Sequence, residues 1–287
     1  MGRIASVAGA FCVLAFAWLA PIPAEGAVIY VTALGNDTTG DGSVENPFAT
    51  LVKAESVANT GDTVLVGAGD VGPVVINNKN LSIISLTGGG IFNPGTHAIT
   101  FNGGANRELT VRGLTIDQGG SANSGILFNS GRKLNVFDTT IQNGSGNWGG
   151  ITFRSTTASE LNVRNNTING FGTSGNGGAI SILPRNGADV TGRISDSFLS
   201  NSRFGVRVFP GDGSTANLLI SNTTITGGTT GISASGVGSQ VVVNESAITH
   251  NALGVQALNS AQIRTRVNNT MFGNAIDGTF TGTVPPR

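Results

Sequence analysis

The sequence predicts an all-β protein, a right-handed parallel β-helix wound as a single-stranded solenoid of about eight coils with a capping helix at its N-terminal end. Three observations carry that expectation. An aliphatic residue followed five positions later by another recurs about every 25 residues. A second short apolar strand, usually opened by Gly, recurs between these pairs. Gly, Asn or Asp returns at fixed offsets from both anchors, where a chain must turn.

The anchor pairs are Val111 and Ile116, Val136 and Ile141, Val163 and Ile168, Ile194 and Leu199, Ile220 and Ile225, Val243 and Ile248, and Val267 and Phe272. Leu109, Leu134, Leu161, Leu218 and Val241 stand two residues before their anchors, the period-2 alternation of a strand with one buried face. The second strands run from Ala98 to Phe101, Gly125 to Phe128, Gly150 to Phe153, Ala179 to Ile182, Gly205 to Val208, Gly231 to Ala234 and Gly254 to Ala257. Strands this short bury nothing as isolated hairpins. Stacked as coils they share one continuous core, with two apolar strands and two polar corners per coil.

Corner residues follow the first anchors at Gly113, Asp138, Asn165, Asp196, Asn222, Glu245 and Asn269, and the second at Gln118, Asn143, Gly170, Asn201, Gly227, His250 and Asn274. Gly and Asn tolerate left-handed backbone angles, and stacked Asn amides bond from coil to coil. The Asn-x-Ser/Thr sequences at Asn165, Asn222 and Asn268 are read as corner chemistry rather than as glycan acceptors.

Both ends of such a column need covering. Asn46 and Pro47, followed by Phe48, Leu51, Val52, Ala54, Val57 and Ala58, read as an N-capped amphipathic helix with Pro at its first position. Ahead of it, residues 1–26 read as a signal peptide: Arg3, an apolar run from Ile4 to Ala20, then small residues around Gly26 and Ala27 suited to cleavage. The competing reading is a membrane anchor. The expected layout is a signal peptide over 1–26, a leading strand and capping helix over 27–62, the β-helix over 63–273 and a C-terminal cap or tail over 274–287. Cleavage removes Cys12 and leaves no thiol, so disulfides, Cys nucleophiles and Cys-bound metals are excluded. The mature chain then has no membrane span and lies in the periplasm, outside the cell or on its surface.

Lys+Arg and Asp+Glu both number 16, which provides no field to gather nucleic acid. The oligomeric state is not legible. No cofactor is required by any motif. Asp37, Asp41 and Glu45 are the candidate calcium ligands, against the reading of Asn36 to Gly42 as a plain turn. His97 and His250 stand too far from other ligands to make a zinc site and are read as structural.

The segments IYVTALGND from Ile29, NPFAT from Asn46 and GDTVLV from Gly61, with coil segments such as LTVRGLTI from Leu109 and GILF from Gly125, resemble secreted right-handed β-helix proteins of the pectate-lyase-like superfamily, in particular an uncharacterised bacterial subgroup. The resemblance implies the fold. Its activities span polysaccharide lyases, hydrolases, epimerases, tailspikes and adhesins. Lyase members use an acidic calcium cluster beside an Arg or Lys base. The outward positions here are Leu127, Thr152, Ser181, Arg207, Ser233 and Gln256, with no acidic ladder. For hydrolase chemistry, Asp138, Asp196 and Glu245 lie on alternate coils about 10 Å apart, a separation compatible with inversion but equally that of corner acceptors.

The longest connections fall in the middle coils, where a rigid column most readily carries function. Trp148, Phe171 and Phe209 offer rings to sugar faces, and Arg154, Arg185 and Arg207 offer guanidinium groups to carboxylates. These six are the expected ligand-binding residues. Arg207, Asp212 and Asp196 are the candidates should the protein be catalytic. The favoured expectation is a non-catalytic protein binding polysaccharide or another surface partner along this face; the alternative is a lyase, hydrolase or epimerase acting on an acidic glycan.

Overall fold

A computed structural model describes residues 26–172 and 177–285. The proposed signal peptide, with Cys12, lies outside them apart from its last residue, as does part of the 169–178 connection. The described chain is a parallel β-helix with three sheets rather than two strands per coil. Sheet A has eleven strands, sheet B eight and sheet C nine, and every pairing between them is parallel.

One coil explains the rest. Lys133–Phe137 lies in sheet A, Thr140–Gln142 in sheet B and Ile151–Phe153 in sheet C. Leu134 and Val136 point inward from the first, Ile141 from the second, and Ile151 and Phe153 from the third, all fully buried. The second anchor of each sequence pair thus belongs to a separate sheet. Asp138 causes the break: its φ of 53° turns the chain between Phe137 and Thr140. Asn165, Asp196, Asn222 and Glu245 repeat that turn with φ between 45° and 55°.

Equivalent residues stack in register. Leu134 pairs with Leu109 and Leu161, and Ile141 with Ile116 and Ile168. Phe101, Phe128 and Phe153 form a ring stack, with centroid separations of 5.3 and 4.4 Å. Outside the core, corner amides bond from coil to coil: Asn165 Nδ2 donates to Asp138 Oδ1 at 2.8 Å, Asn222 Nδ2 to Asp196 Oδ1 at 2.8 Å, and Asn268 Nδ2 to Asn244 Oδ1 at 3.1 Å. The amide nitrogens of these Asn-x-Ser/Thr sequences are therefore occupied by the ladder.

The last coil departs from the sequence expectation. Val243 pairs with Thr265 and Ile248 with Met271, so Val267 and Phe272 are not anchors and are 75% and 67% exposed. Residues beyond 273 still add strands, Ile276–Gly278 to sheet C and Gly282–Thr283 to sheet A.

The helix α1 spans Leu51–Val57 and is capped by Thr50, whose hydroxyl accepts from Lys53 N at 3.1 Å; Asn46 and Pro47 lie outside it. Phe48 instead bridges to Val31, a parallel pairing that keeps the chain extended until Thr50. Leu51 and Ala54 face the core, while Val52 and Val57 are exposed, so the buried face is narrower than the sequence suggests. The helix packs against Val28–Val31 and Val74–Asn77, the first strands of sheets A and C.

Candidate functional site

The calcium candidates do not converge. Asp37 Oδ1 accepts from the backbone N–H of Ala49 at 2.7 Å and of Thr50 at 3.1 Å, and Oδ2 accepts from the Thr50 hydroxyl at 2.6 Å. Its carboxylate buttresses the start of α1. Asp41 accepts from Ser43 N within its own turn. Among the described residues no group of three or more His, Asp or Glu side chains is placed to hold a metal ion.

The middle coils of sheet C carry a groove of about 620 Å³. Its lining includes Trp148, Arg154, Arg185, Arg207, Phe209 and Asp212. The topology assembles it. Arg207 projects outward from Phe204–Val208, in register with Ser181 and Ser233. The connections from sheet C to sheet A stack on one another, Gly211 N donating to Pro184 O at 2.9 Å and Gly187 N to Asp212 O at 3.0 Å. The connection bearing Trp148 folds back over the sheet. There Gly149 N donates to Thr152 Oγ1 at 3.0 Å, and Ser124 Oγ bonds the same oxygen at 2.8 Å.

The cations sit on aromatic faces. The Arg154 guanidinium lies 5.1 Å from the Trp148 ring, and that of Arg207 lies 5.2 Å from Phe209 and 5.8 Å from Phe204. Burial pushes the Arg154 pKa down, and the neighbouring Arg185 charge adds to the effect; burial and Arg203 do the same at Arg207. Cations are crowded here, and Asp212 is the groove's one carboxylate among the described residues. The arrangement suits an anion with an apolar face beside it.

Five of the six expected ligand-binding residues, with Asp212, line this one groove. Phe171 does not. It is fully buried among the core side chains, inserted between Gly170 and Gly172 where its ring cannot meet a ligand. Asp196 also lies elsewhere, at a corner following a sheet A strand, where it accepts from Asn222. It cannot act together with Arg207.

His97 belongs to the site although its sequence neighbours gave no sign of it. Its Nδ1 accepts from Ser124 N at 2.9 Å, and its ring meets Trp148 edge-on at 5.0 Å. Burial and then the Arg154 charge hold its pKa below the ordinary imidazole value. Counting coils would have revealed the contact, since His97 and Trp148 precede sheet C strands two coils apart. His250 lies apart from the site, at a left-handed corner with φ 54° against Phe272.

No family model matches the chain. No curated protein matches it either. Among solved structures it is similar to the pectate lyase Pel9A, with a TM-score of 0.48 and 12% identity over 91% of this chain and 78% of that one. It is also similar to a rhamnogalacturonan lyase, with a TM-score of 0.39 and 14% identity over 87% and 69%, and to a GH136 lacto-N-biosidase from Eubacterium ramulus, with 0.27 and 10% over 91% and 67%. The described chain is a parallel β-helix in its own right, the class of fold that its sequence resemblance implied. Its chemistry is read from its own side chains.

Proposed function

We propose that the protein is a secreted or cell-surface β-helix that holds an acidic polysaccharide along the middle coils of sheet C without cleaving it. The observation that carries this reading is the set of cations on aromatic faces, Arg154 on Trp148 and Arg207 on Phe209, in a groove whose described lining has a single carboxylate. Aromatic rings take the apolar faces of sugars, and guanidinium forks take their carboxylates. One carboxylate does not make the acid and base pair of a hydrolase. Secretion rests on the leader pattern of residues 1–26.

The test is a panel of uronate polysaccharides read for both retention and product release. Retention without new chain ends is expected, and Trp148→Ala or Arg207→Ala weakens it by about tenfold or more. Unchanged binding by both variants removes the groove from consideration. The second reading, a lyase, draws on Arg207 standing outward from sheet C in the same groove as Asp212, Arg being a residue type that lyase-like members use as a base. Release of unsaturated sugars, lost in Arg207→Ala, would put that reading first.

A further inference from the structure

A second groove, of about 860 Å³, lies on the outer face of sheet A. Its origin is a change of side-chain size along one register row. Phe137 pairs with Arg164, Arg164 with Ser195, Ser195 with Ser221 and Ser221 with Asn244, and Arg266 follows one residue past Thr265 on the next strand. Ser195, Ser221 and Asn244 thus form a trough between two arginines. At the ordinary interstrand spacing, Arg164 and Arg266 stand about 19 Å apart along the column. Arg193 is a third cation, one strand from Arg164 and in register with Leu219.

Among the described residues the three arginines of this trough make no direct ion pair, although Asp196 and Glu245 share its lining. Earlier in the same row Arg112 reaches the corner carboxylate of the next coil, bonding Asp138 at 2.8 Å. Arg164 occupies the equivalent place relative to Asp196. It lies instead over the Phe137 ring at 5.3 Å, and it makes no ion pair with Asp196. Arg193 and Arg266 have no ion pair among the described residues either, and Arg266 Nε is shielded from solvent without a hydrogen-bond partner. A shielded guanidinium N–H without an acceptor is costly.

We infer that this trough binds a second segment of anionic polysaccharide, running along the column across sheet A. The three guanidinium groups take carboxylate or sulfate groups of the chain, and Asp196 and Glu245 in the lining accept from its hydroxyls. The two lining carboxylates, Asp196 and Glu245, oppose a nucleic acid, whose phosphates come at every residue, and the one ring of the described lining, Phe137, is already covered by Arg164. The inference stands apart from the sheet C groove, which lies on another side of the column and uses different residues. If both grooves are filled, one protein holds two chains and joins them.

Calorimetric titration separates the possibilities. The probes are an oligogalacturonate, a dextran sulfate oligomer of similar length and neutral dextran. The paired variant Arg193→Ala/Arg266→Ala is expected to lose one binding event per protein, or to weaken it at least tenfold, for the carboxylated probe, the sulfated probe or both. Which of the two probes responds identifies the anion. Ser221→Tyr, which fills the trough and keeps every charge, is expected to do the same, whereas Trp148→Ala leaves this event intact. Binding unchanged in both trough variants, binding lost only in Trp148→Ala, equal binding of neutral dextran, or no binding of any probe would overturn the inference.

Discussion

The imidazole of His97 meets the indole of Trp148 edge to face, with centroids 5.0 Å apart and planes at 82°, while Arg154 lies 5.1 Å from the same indole. Neutral His97 is the form this arrangement needs. Its Nδ1 must accept from Ser124 N, and a second positive charge beside Arg154 would repel it. The folded-state pKa is lowered, so below the ordinary imidazole value of 6.5 the unfolded chain takes up the proton first. The His97 contribution to stability is therefore present above that value and is lost as pH falls toward the folded pKa. Melting curves of the protein and of His97→Gln between about pH 7.5 and pH 5 should diverge over that window, the variant losing less stability. Tryptophan emission reports the site directly, because Trp148 is the single tryptophan of a chain begun at Ala27. Parallel pH profiles for the two proteins would contradict the role given to His97.

Asp37 titrates in the opposite sense. Burial raises its pKa, but donation by the Thr50 hydroxyl and the Ala49 and Thr50 N–H groups, with Lys53 nearby, outweighs burial and holds the carboxyl below the ordinary range. Its contribution is present above the ordinary aspartate value of 3.8 and is lost as pH falls through the lowered folded pKa. Asp37→Ala removes the acceptor for three donors at once and should cost about 1–3 kcal/mol at neutral pH. Denaturant titration measures the loss. Added calcium should leave the midpoint of the parent unmoved if the carboxylate serves α1 alone.

The stacked rings inside sheet C give a third expectation. Phe153 is fully buried, with its ring 4.4 Å from that of Phe128 and inclined by 6°. Phe153→Ala should destabilise the column by about 3–5 kcal/mol, the usual cost of deleting a buried ring. Phe153→Leu keeps most of the volume and should lose clearly less. Equal losses would mean that ring filling is not what matters there.

These residues also show how far the sequence could be read. Val136 and Phe153 were legible because each shares a strand with a second inward residue, and alternation betrays it. Sheet B was not legible as a sheet. A three-residue strand such as Thr140–Gln142 turns only Ile141 inward, leaving no period to detect. Phe171 falls in a long connection and so reads as a loop residue, yet the flanking Gly170 and Gly172, with φ of 78° and 67°, let the chain bend its ring into the core. The sheet C groove could be anticipated from long connections. The sheet A trough could not, since Arg164, Arg193 and Arg266 are scattered in sequence until the register aligns them with Ser195, Ser221 and Asn244.

Val267 supplies the last and most direct test of the corner chemistry. Its φ of 67° is left-handed, and its side chain is 75% exposed, so almost no packing offsets the backbone strain. A β-branched residue is poorly suited to that region, whereas Asn and Gly enter it readily. The corresponding turns lower in the column hold Asn222 and Glu245 at φ 45° and 46°. The local hydrogen bond from Val267 N to Thr265 Oγ1 at 2.9 Å is made by the backbone and survives a change of side chain. Val267→Asn should therefore stabilise the protein by about 1 kcal/mol, and Val267→Gly by less, because Gly also gains freedom in the unfolded chain. An increased denaturation midpoint in the order Asn, Gly, Val is the expected result. A loss of stability in Val267→Asn would show that the valine methyl groups pack against something in the folded protein after all, and that the final turn is not strained.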